Sequence, residues 1–374
     1  MISKLVIIFT LLIFSQALYA QKTPYKTPLD SLLLEGIEKI NIGEFEEAIK
    51  LLDEAIVLDS TKWEIHYEKA LAYYQIKEFD SVIIILEPFQ SRNDLTDNYY
   101  QILGSSYDII KEYDKAQAVY DTALSKFPNS GKIYMEYGIH HIENEKSLAA
   151  VAYWQKGIEV EPDYEYNYYW LSKYQSYLAE YAWTIMYGEV FLNLSNSTYR
   201  LEDISYIIND SFTAAFYSPV DSINTTIKFT TINIISKNLR EREDLPFEVA
   251  YQIVMREAAD SISPTNLGLP KNKTELTIDK IYQIRKKFIE IWYNDKWNKR
   301  YSNPLFDLHK KMIKSGHFEA YNYWIFNASR KKESNNWLKD KQQKLEDFGN
   351  WMVKNSLKIH KGNYFTKSKY SDRY

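Results

Sequence analysis

Between residues 29 and 198 the sequence returns to itself every 34 residues, and no other feature restricts its fold as strongly. A small residue recurs at Gly36, Ala70, Gly104, Gly138 and Ser172. An aromatic recurs at Phe45, Phe79, Tyr113 and Tyr181, with Ser147 the exception. A second slim position runs through Ala48, Val82, Ala116, Ala150 and Thr184. A large apolar position runs through Leu52, Leu86, Tyr120 and Trp154 and fails at Gly188. The unit ends read Ser60, Asp94, Pro128, Pro162 and Asn196. Helix axes come close only where one side chain is small, so the Gly/Ala columns mark two antiparallel helices packing within each unit. The aromatic after each turn fills the space beneath it, and Pro or Asp near the unit end stops the second helix.

This pattern resembles the tetratricopeptide repeat (TPR) family. Gly36, Gly43-Glu-Phe45, Ala48 and Ala55 carry the resemblance in the first unit; Gly104, Tyr113, Ala116, Ala123 and Pro128 carry it in the third. It covers five units, at residues 29–62, 63–96, 97–130, 131–164 and 165–198. Phe89 in unit 2, and Gly188 and Phe191 in unit 5, depart from the family's packing residues. The family implies an all-α fold, a TPR-type α-solenoid of antiparallel helix hairpins, here followed by an α-helical C-terminal region. It also implies a protein or peptide partner held in a concave groove lined by the first helix of each hairpin. In this register the groove positions are Ile37, Asn41, Tyr67, Leu71, Tyr74, Gln75, Gln101, Ser105, Asp108, Met135, Ile139, Glu143, Tyr169, Lys173 and Tyr177. Family members that clamp a C-terminal carboxylate use paired Lys, Arg and Asn. Here those positions are mostly apolar or aromatic, which argues against that ligand.

Composition removes several chemistries. There is no cysteine, which excludes disulfides, thiolate zinc sites and a cysteine nucleophile. Only 11 of 374 residues are glycine, leaving little material for phosphate-cradling loops. His140 and His141 are adjacent, so on a helix they point about 100° apart and cannot chelate one metal. His141 shares a column with Tyr73 and Tyr107 and reads as a packed ring. His317 and Glu319 sit at a turn, where capping is the simpler role. Neither His-Glu-x-x-His, Gly-x-Ser-x-Gly nor a Walker pattern occurs. Glu46 and Glu47 lie on a solvent face, without the facing carboxylate that glycoside hydrolysis needs. The sequence predicts a non-enzyme with no catalytic residues, metal or cofactor.

At the N-terminus, Lys4, the apolar run Leu5–Phe14 and Ala17-Leu-Tyr-Ala20 read as an export signal over residues 1–20. The run is too short to span a membrane, and without cysteine the product is not a lipoprotein. The expected location is periplasmic or secreted. Beyond residue 198, a helical domain over 199–357 is expected. Its helices are predicted at Pro246–Asp260, Ile278–Asn294 capped by Thr277, Pro304–Ser315, and Trp337–Asn355 capped by Ser334. The β-branched run Thr225–Ile235 has no strand partner and reads as helix or irregular structure. Ser315-Gly-His-Phe-Glu-Ala320 resembles Ile42-Gly-Glu-Phe-Glu-Glu47, which suggests a degenerate sixth hairpin at 302–330. The Lys- and Tyr-rich tail, 358–374, is expected to be disordered.

The net charge of −4 conceals a division. Residues 21–198 carry 15 Lys and Arg against 29 Asp and Glu, whereas 199–374 carry 30 against 21. Such asymmetry fits docking of the two halves, separate partners for them, or ordinary solvated faces. Trp292, Trp297, Trp324, Trp337 and Trp351 offer sugar-stacking rings, but their helical spacing favours core packing. Arg285-Lys-Lys287 and Arg330-Lys-Lys332 are short basic runs suited to an anionic surface, and export argues against nucleic acid. The leading expectation is an exported scaffold that binds a protein or peptide. Two alternatives stand beside it: a glycan- or anionic-polymer-binding protein using aromatic and basic surfaces, and an enzyme whose dispersed site has no motif.

Overall fold

The computed structural model describes residues 27–143, 147–195, 197–216, 227–232, 245–262 and 276–371. The expected export signal lies outside them. Every regular element among the described residues is a helix. They form two compact units, divided between Val119 and Tyr120.

The first unit holds α1 (Pro28–Asn41), α2 (Phe45–Leu58), α3 (Trp63–Gln75), α4 (Phe79–Leu86) and α5 (Asp97–Ile109). Helix α6 (Tyr113–Lys126) contains the division. Thr27 starts α1 by accepting the Asp30 N–H at 3.1 Å, and Pro28 follows at a first-turn position where no N–H is needed. Gly36 lets α1 and α2 close: a Cβ there would stand 2.8 Å from Leu52 Cγ. Leu52, Ala55 and Ile65 form the buried centre, with Leu29, Leu32, Leu33 and Ile40 packed around it. Helix α4 is only eight residues long, because Pro88 follows and turns the chain into a 3-10 segment, Glu87–Phe89.

The turn between the two helices of a hairpin recurs with the 34-residue period. Gly43, Lys77, Lys111 and Ala179 all take left-handed backbone, with φ of 82°, 67°, 67° and 57°. Each donates its N–H to the carbonyl three residues back, and the following Glu44, Glu78, Glu112 or Glu180 donates to the carbonyl five residues back. These paired bonds satisfy the carbonyls that end a helix. Gly316 (φ 80°) and His317 repeat the arrangement, so a hairpin does form within 302–330.

The second unit contains α7 (Gly131–Glu143), α8 (Ser147–Val160), α9 (Tyr166–Tyr177), α10 (Tyr181–Leu194) and α11 (Thr198–Phe216). It continues through α12 (Phe247–Ile262), α13 (Ile278–Asn294), α14 (Trp297–Arg300), α15 (Pro304–Ser315) and α16 (Phe318–Ile325). Helices α17 (Lys331–Asn355) and α18 (Lys367–Ser371) complete it. One apolar core runs from Ala150 to Tyr370, so packing does not stop at residue 198. At Gly188, where the large-residue column fails, Ile208 of α11 supplies the missing volume: a Cβ would stand 3.0 Å from its Cδ1.

The expected C-terminal helices form, with two differences. Helix α17 starts at Lys331, so Ser334 lies inside it, buried, rather than capping it; the helix is interrupted at Lys341 (φ −127°). Residues 227–232, the described part of the run Thr225–Ile235, take the irregular form of the two expected, held by Ala182 N–H to the Phe229 carbonyl (2.9 Å) and Phe229 N–H to Gln252 Oε1 (2.7 Å). The tail is a correction: over 358–371 it does not fray. Phe365 and Tyr370 are buried, Tyr370 Oη donates to the Ser302 carbonyl (2.6 Å), and Lys367 N–H donates to Tyr187 Oη (3.0 Å). Aromatic area buried against α10 and α12 outweighs the tail's lysines. Residues 372–374 lie outside the described residues.

A buried ionic cluster joins α10 to α13, α15 and α16. Arg285 donates through Nη2 to both Glu189 oxygens (2.6 and 2.5 Å) and through Nη1 to Asn322 Oδ1. Tyr321 Oη adds a bond to Glu189 Oε2 at 2.8 Å, and Asn193 Nδ2 donates to Tyr321 Oη. His309 Nε2 lies 3.0 Å from Glu189 Oε2 but off the alignment that a hydrogen bond requires.

Candidate functional site

The first helix of each hairpin carries the residues expected to meet a partner. In the first unit, Ile37, Tyr67, Leu71, Tyr74 and Gln101 are half-buried, and Asn41 and Gln75 are exposed. These seven positions keep surface available. Tyr67 packs edge-on against Trp63 (6.1 Å between ring centres) and Tyr74 against Phe79 (5.4 Å), so the rings are oriented rather than loose. Burial pushes the Tyr67 phenol up to about 12, with the negative charges of Glu68 and Asp97 adding to the effect. Burial also pushes the Glu68 carboxyl upward.

Four of the expected positions are closed. Ser105 and Asp108 are 8% and 9% exposed, and Ser105 Oγ donates back to the Ile102 carbonyl of its own helix (3.3 Å). Met135 is buried, and its carbonyl receives Trp154 Nε1 at 3.1 Å. Tyr169 is buried because α11 lies over it: its Oη donates to Asp203 Oδ2 (2.6 Å), and the Arg200 guanidinium sits 5.0 Å from the ring centre. Lys173 completes this group, 3.2 Å from both Tyr169 Oη and Asp203 Oδ2. Burial alone would push the Lys173 ammonium down, but these two partners hold it above its ordinary value. In the second unit Ile139 is half-buried, Glu143 exposed, and Tyr177 is 85% exposed.

Two residues of this face escaped the sequence reading. Leu34, half exposed on α1, lies one turn before Ile37, and Glu68 lies one turn before Leu71 on α3. Both follow from helical spacing of i to i+3 once the open face is known.

The other candidate groups resolve as packing. Arg285 is 4% exposed and belongs to the Glu189 cluster. Arg330 bonds Asn209 Oδ1 and Glu333 Oε1, so both basic runs lose their arginine to internal partners. Trp292 and Trp297 are buried; Trp337 stacks on Tyr323 at 4.4 Å and donates to Glu319 Oε1 at 2.8 Å. His140 and His141 are buried, with His141 stacked on Tyr137 at 5.0 Å. His317 begins α16 without a capping side-chain bond, its ring lying 5.2 Å from Trp351. Among the described residues no group of three His, Asp or Glu side chains converges to hold a metal ion.

The TPR repeat family pattern matches residues 40–77, the turn of the first hairpin through the first helix of the second. The chain carries a TPR repeat. Over 122 residues it is 24% identical to the TPR repeat-containing protein YpiA of Bacillus subtilis strain 168. That match spans 33% of this chain and 29% of YpiA, so the chain covers less than a third of its relative. Among solved structures, MamA is similar at 30% identity, covering 36% of this chain and 73% of MamA, with a TM-score of 0.33. TTC0263, a thermophilic TPR protein of Thermus thermophilus, is 13% identical over 49% of this chain and 98% of its own, with a TM-score of 0.43. No helix among the described residues is long and apolar enough to cross a membrane.

Proposed function

We propose that this chain is an exported, non-catalytic TPR scaffold that binds a protein or peptide through the first-helix face of its N-terminal repeats. One observation carries the reading: Tyr67, Leu71 and Tyr74 lie together on α3, half-buried and held in place, with Ile37 on α1. Rigid aromatic and aliphatic area of this kind loses little rotamer entropy on binding and is the chemistry enriched at binding hot spots. The repeat positions farther along are occupied by the chain itself at Tyr169 and Lys173, so the N-terminal repeats supply the available face. Export would place the partner in the periplasm or medium. The non-catalytic reading rests on repeats that commonly act in protein association and on ionisable groups such as Glu189 that are committed to internal partners.

The test is photo-crosslinking in the native host from residue 67 or 74, against residue 46 on the solvent side of α2. A protein captured from 67 and 74, and no longer co-purified by Tyr67→Ala/Tyr74→Ala with helicity retained, supports the reading. Equal capture from residue 46 refutes it. N-terminal sequencing of the mature protein tests export, and an intact Met1 in the cytoplasm counts against it.

A further inference from the structure

The first-helix face of the N-terminal unit carries negative charge that the chain leaves unneutralised. Helices α1 and α3 have one lysine each, and both are engaged by carboxylates away from this face. Lys39 pairs with Glu44, and Lys69 Nζ lies 2.5 Å from Asp53 Oδ1 on α2. Glu68 remains on α3, in line with Leu71 and Gln75 and one turn beyond Glu64, whose charge acts on Arg92. Glu68 is half-buried and has neither a hydrogen bond nor an ion pair among the described residues. The whole stretch 27–119 carries 19 Asp and Glu against 8 Lys and Arg. Apolar residues that keep surface available are Leu34 and Ile37 on α1 and Tyr67 and Leu71 on α3.

A half-buried carboxylate has given up part of its hydration without receiving a partner, and an incoming cation restores that loss. Apolar residues one turn apart on two neighbouring helices suit the apolar stripe of a helix laid along them. We propose that this face binds a cationic amphipathic helix, its apolar stripe on Leu34, Ile37 and Leu71 and a Lys or Arg paired with Glu68. The inference rests on the protein-binding reading above and adds the partner's chemistry to it. An acidic or neutral helix of the same apolar pattern leaves Glu68 buried and unpaired, so the charge acts as a filter as well as an attraction.

The probes are a fluorescent synthetic Leu/Lys amphipathic peptide and its Leu/Glu counterpart of equal length, titrated into the full chain by anisotropy. The expected result is binding of the Leu/Lys peptide alone, weakened by salt. Glu68→Gln should weaken it about tenfold, with the melting temperature retained. Leu71→Ala should weaken it as well, and Glu46→Gln/Glu47→Gln on the outer helix should not. If Leu71→Ala abolishes binding while Glu68→Gln changes nothing, the cationic partner is refuted and the protein-binding face stands. If neither variant changes binding, the peptide docks elsewhere and both readings fail. Self-association by light scattering that Glu68→Gln abolishes would assign the face to a second copy and overturn the proposal.

Discussion

The indole of Trp154 occupies the space that a side chain on Gly138 would need. A Cβ built on Gly138 would stand 2.7 Å from Trp154 Cε2 and closer still to Nε1, which donates to the Met135 carbonyl at 3.1 Å. Gly138→Ala therefore has to move a rigid ring and break its hydrogen bond, at a cost of about 1–3 kcal/mol or more. Gly36→Ala meets only Leu52, whose chain can rotate, and should cost less. Urea unfolding of the two variants should give that order; equal midpoints would show that Trp154 yields as readily as Leu52.

Among the described turns of the five repeats the left-handed position holds a glycine only at Gly43; Lys77, Lys111 and Ala179 occupy it elsewhere. A non-glycine residue in this conformation costs about 1 kcal/mol. Lys77→Gly should then raise the melting temperature slightly, part of the gain being lost to the flexibility glycine adds to the unfolded chain. Gly43→Ala should lower it. Thermal scans in which both changes destabilise would mean that the Lys77 side chain compensates its backbone.

These positions show what the sequence discloses. Gly36 with Leu52, and Gly138 with Trp154, are legible as paired columns because one small and one large residue must meet wherever two helices cross. The turn column was hidden, since within the five repeats only Gly43 has the residue type that announces a left-handed backbone. Glu189, Arg285 and Tyr321 were hidden for another reason. Their partners lie 96 and 132 residues away, and no local period connects them. The tail misled because lysine and tyrosine in a terminal segment read as solvated, whereas Phe365 and Tyr370 found a core already formed. At the proposed binding face, spacing located Tyr67 and Tyr74, but Tyr169 was closed by α11, a helix outside the five repeats.

The Glu189 cluster should govern acid stability. Burial alone would raise this carboxyl, but the charges of Arg285 and His309, with the Tyr321 bond, hold it down at about 2. The unfolded chain takes up that proton at the ordinary 4.5, so the contribution is full above 4.5 and is lost as pH falls toward 2. Burial chiefly holds His309 below its ordinary 6.5, so folding disfavours its charged form, and stability is lost as pH drops below 6.5. Glu189→Gln should cost about 3–5 kcal/mol near neutrality by leaving Arg285 buried without its counter-charge. Its melting temperature should fall less steeply than wild type between pH 4.5 and 2, and His309→Gln should flatten the slope just below 6.5.

The C-terminal segment should be required for stability. Tyr370 is buried against Trp183, Phe247 and Tyr301, and Lys367 Nζ lies 3.3 Å from the buried Glu248. Tyr370→Ala should cost about 3–5 kcal/mol, the range for emptying an aromatic site in a core. Limited proteolysis should leave the wild-type tail intact and cut Tyr370→Ala first within residues 356–371. Early cleavage of the wild type there would show that the strap detaches readily.

Tyr169 and Tyr177 stand two turns apart on α9 and should behave oppositely. Tyr169 is buried, its hydroxyl donating to Asp203 at 2.6 Å and accepting from Lys173 at 3.2 Å. Tyr169→Phe keeps the ring but leaves Asp203 with Lys173 as its remaining partner in the group, so it should cost about 1–2 kcal/mol. Asp203→Asn should cost a similar amount, and the double variant should cost less than the sum because one interaction is removed twice. Tyr177 is 85% exposed, and Tyr177→Ala should leave unfolding within about 0.5 kcal/mol of wild type. Chemical denaturation of the four variants decides the matter. Additive losses for Tyr169 and Asp203 would show that α11 is held over α9 by its apolar contacts alone, with the polar group a passenger.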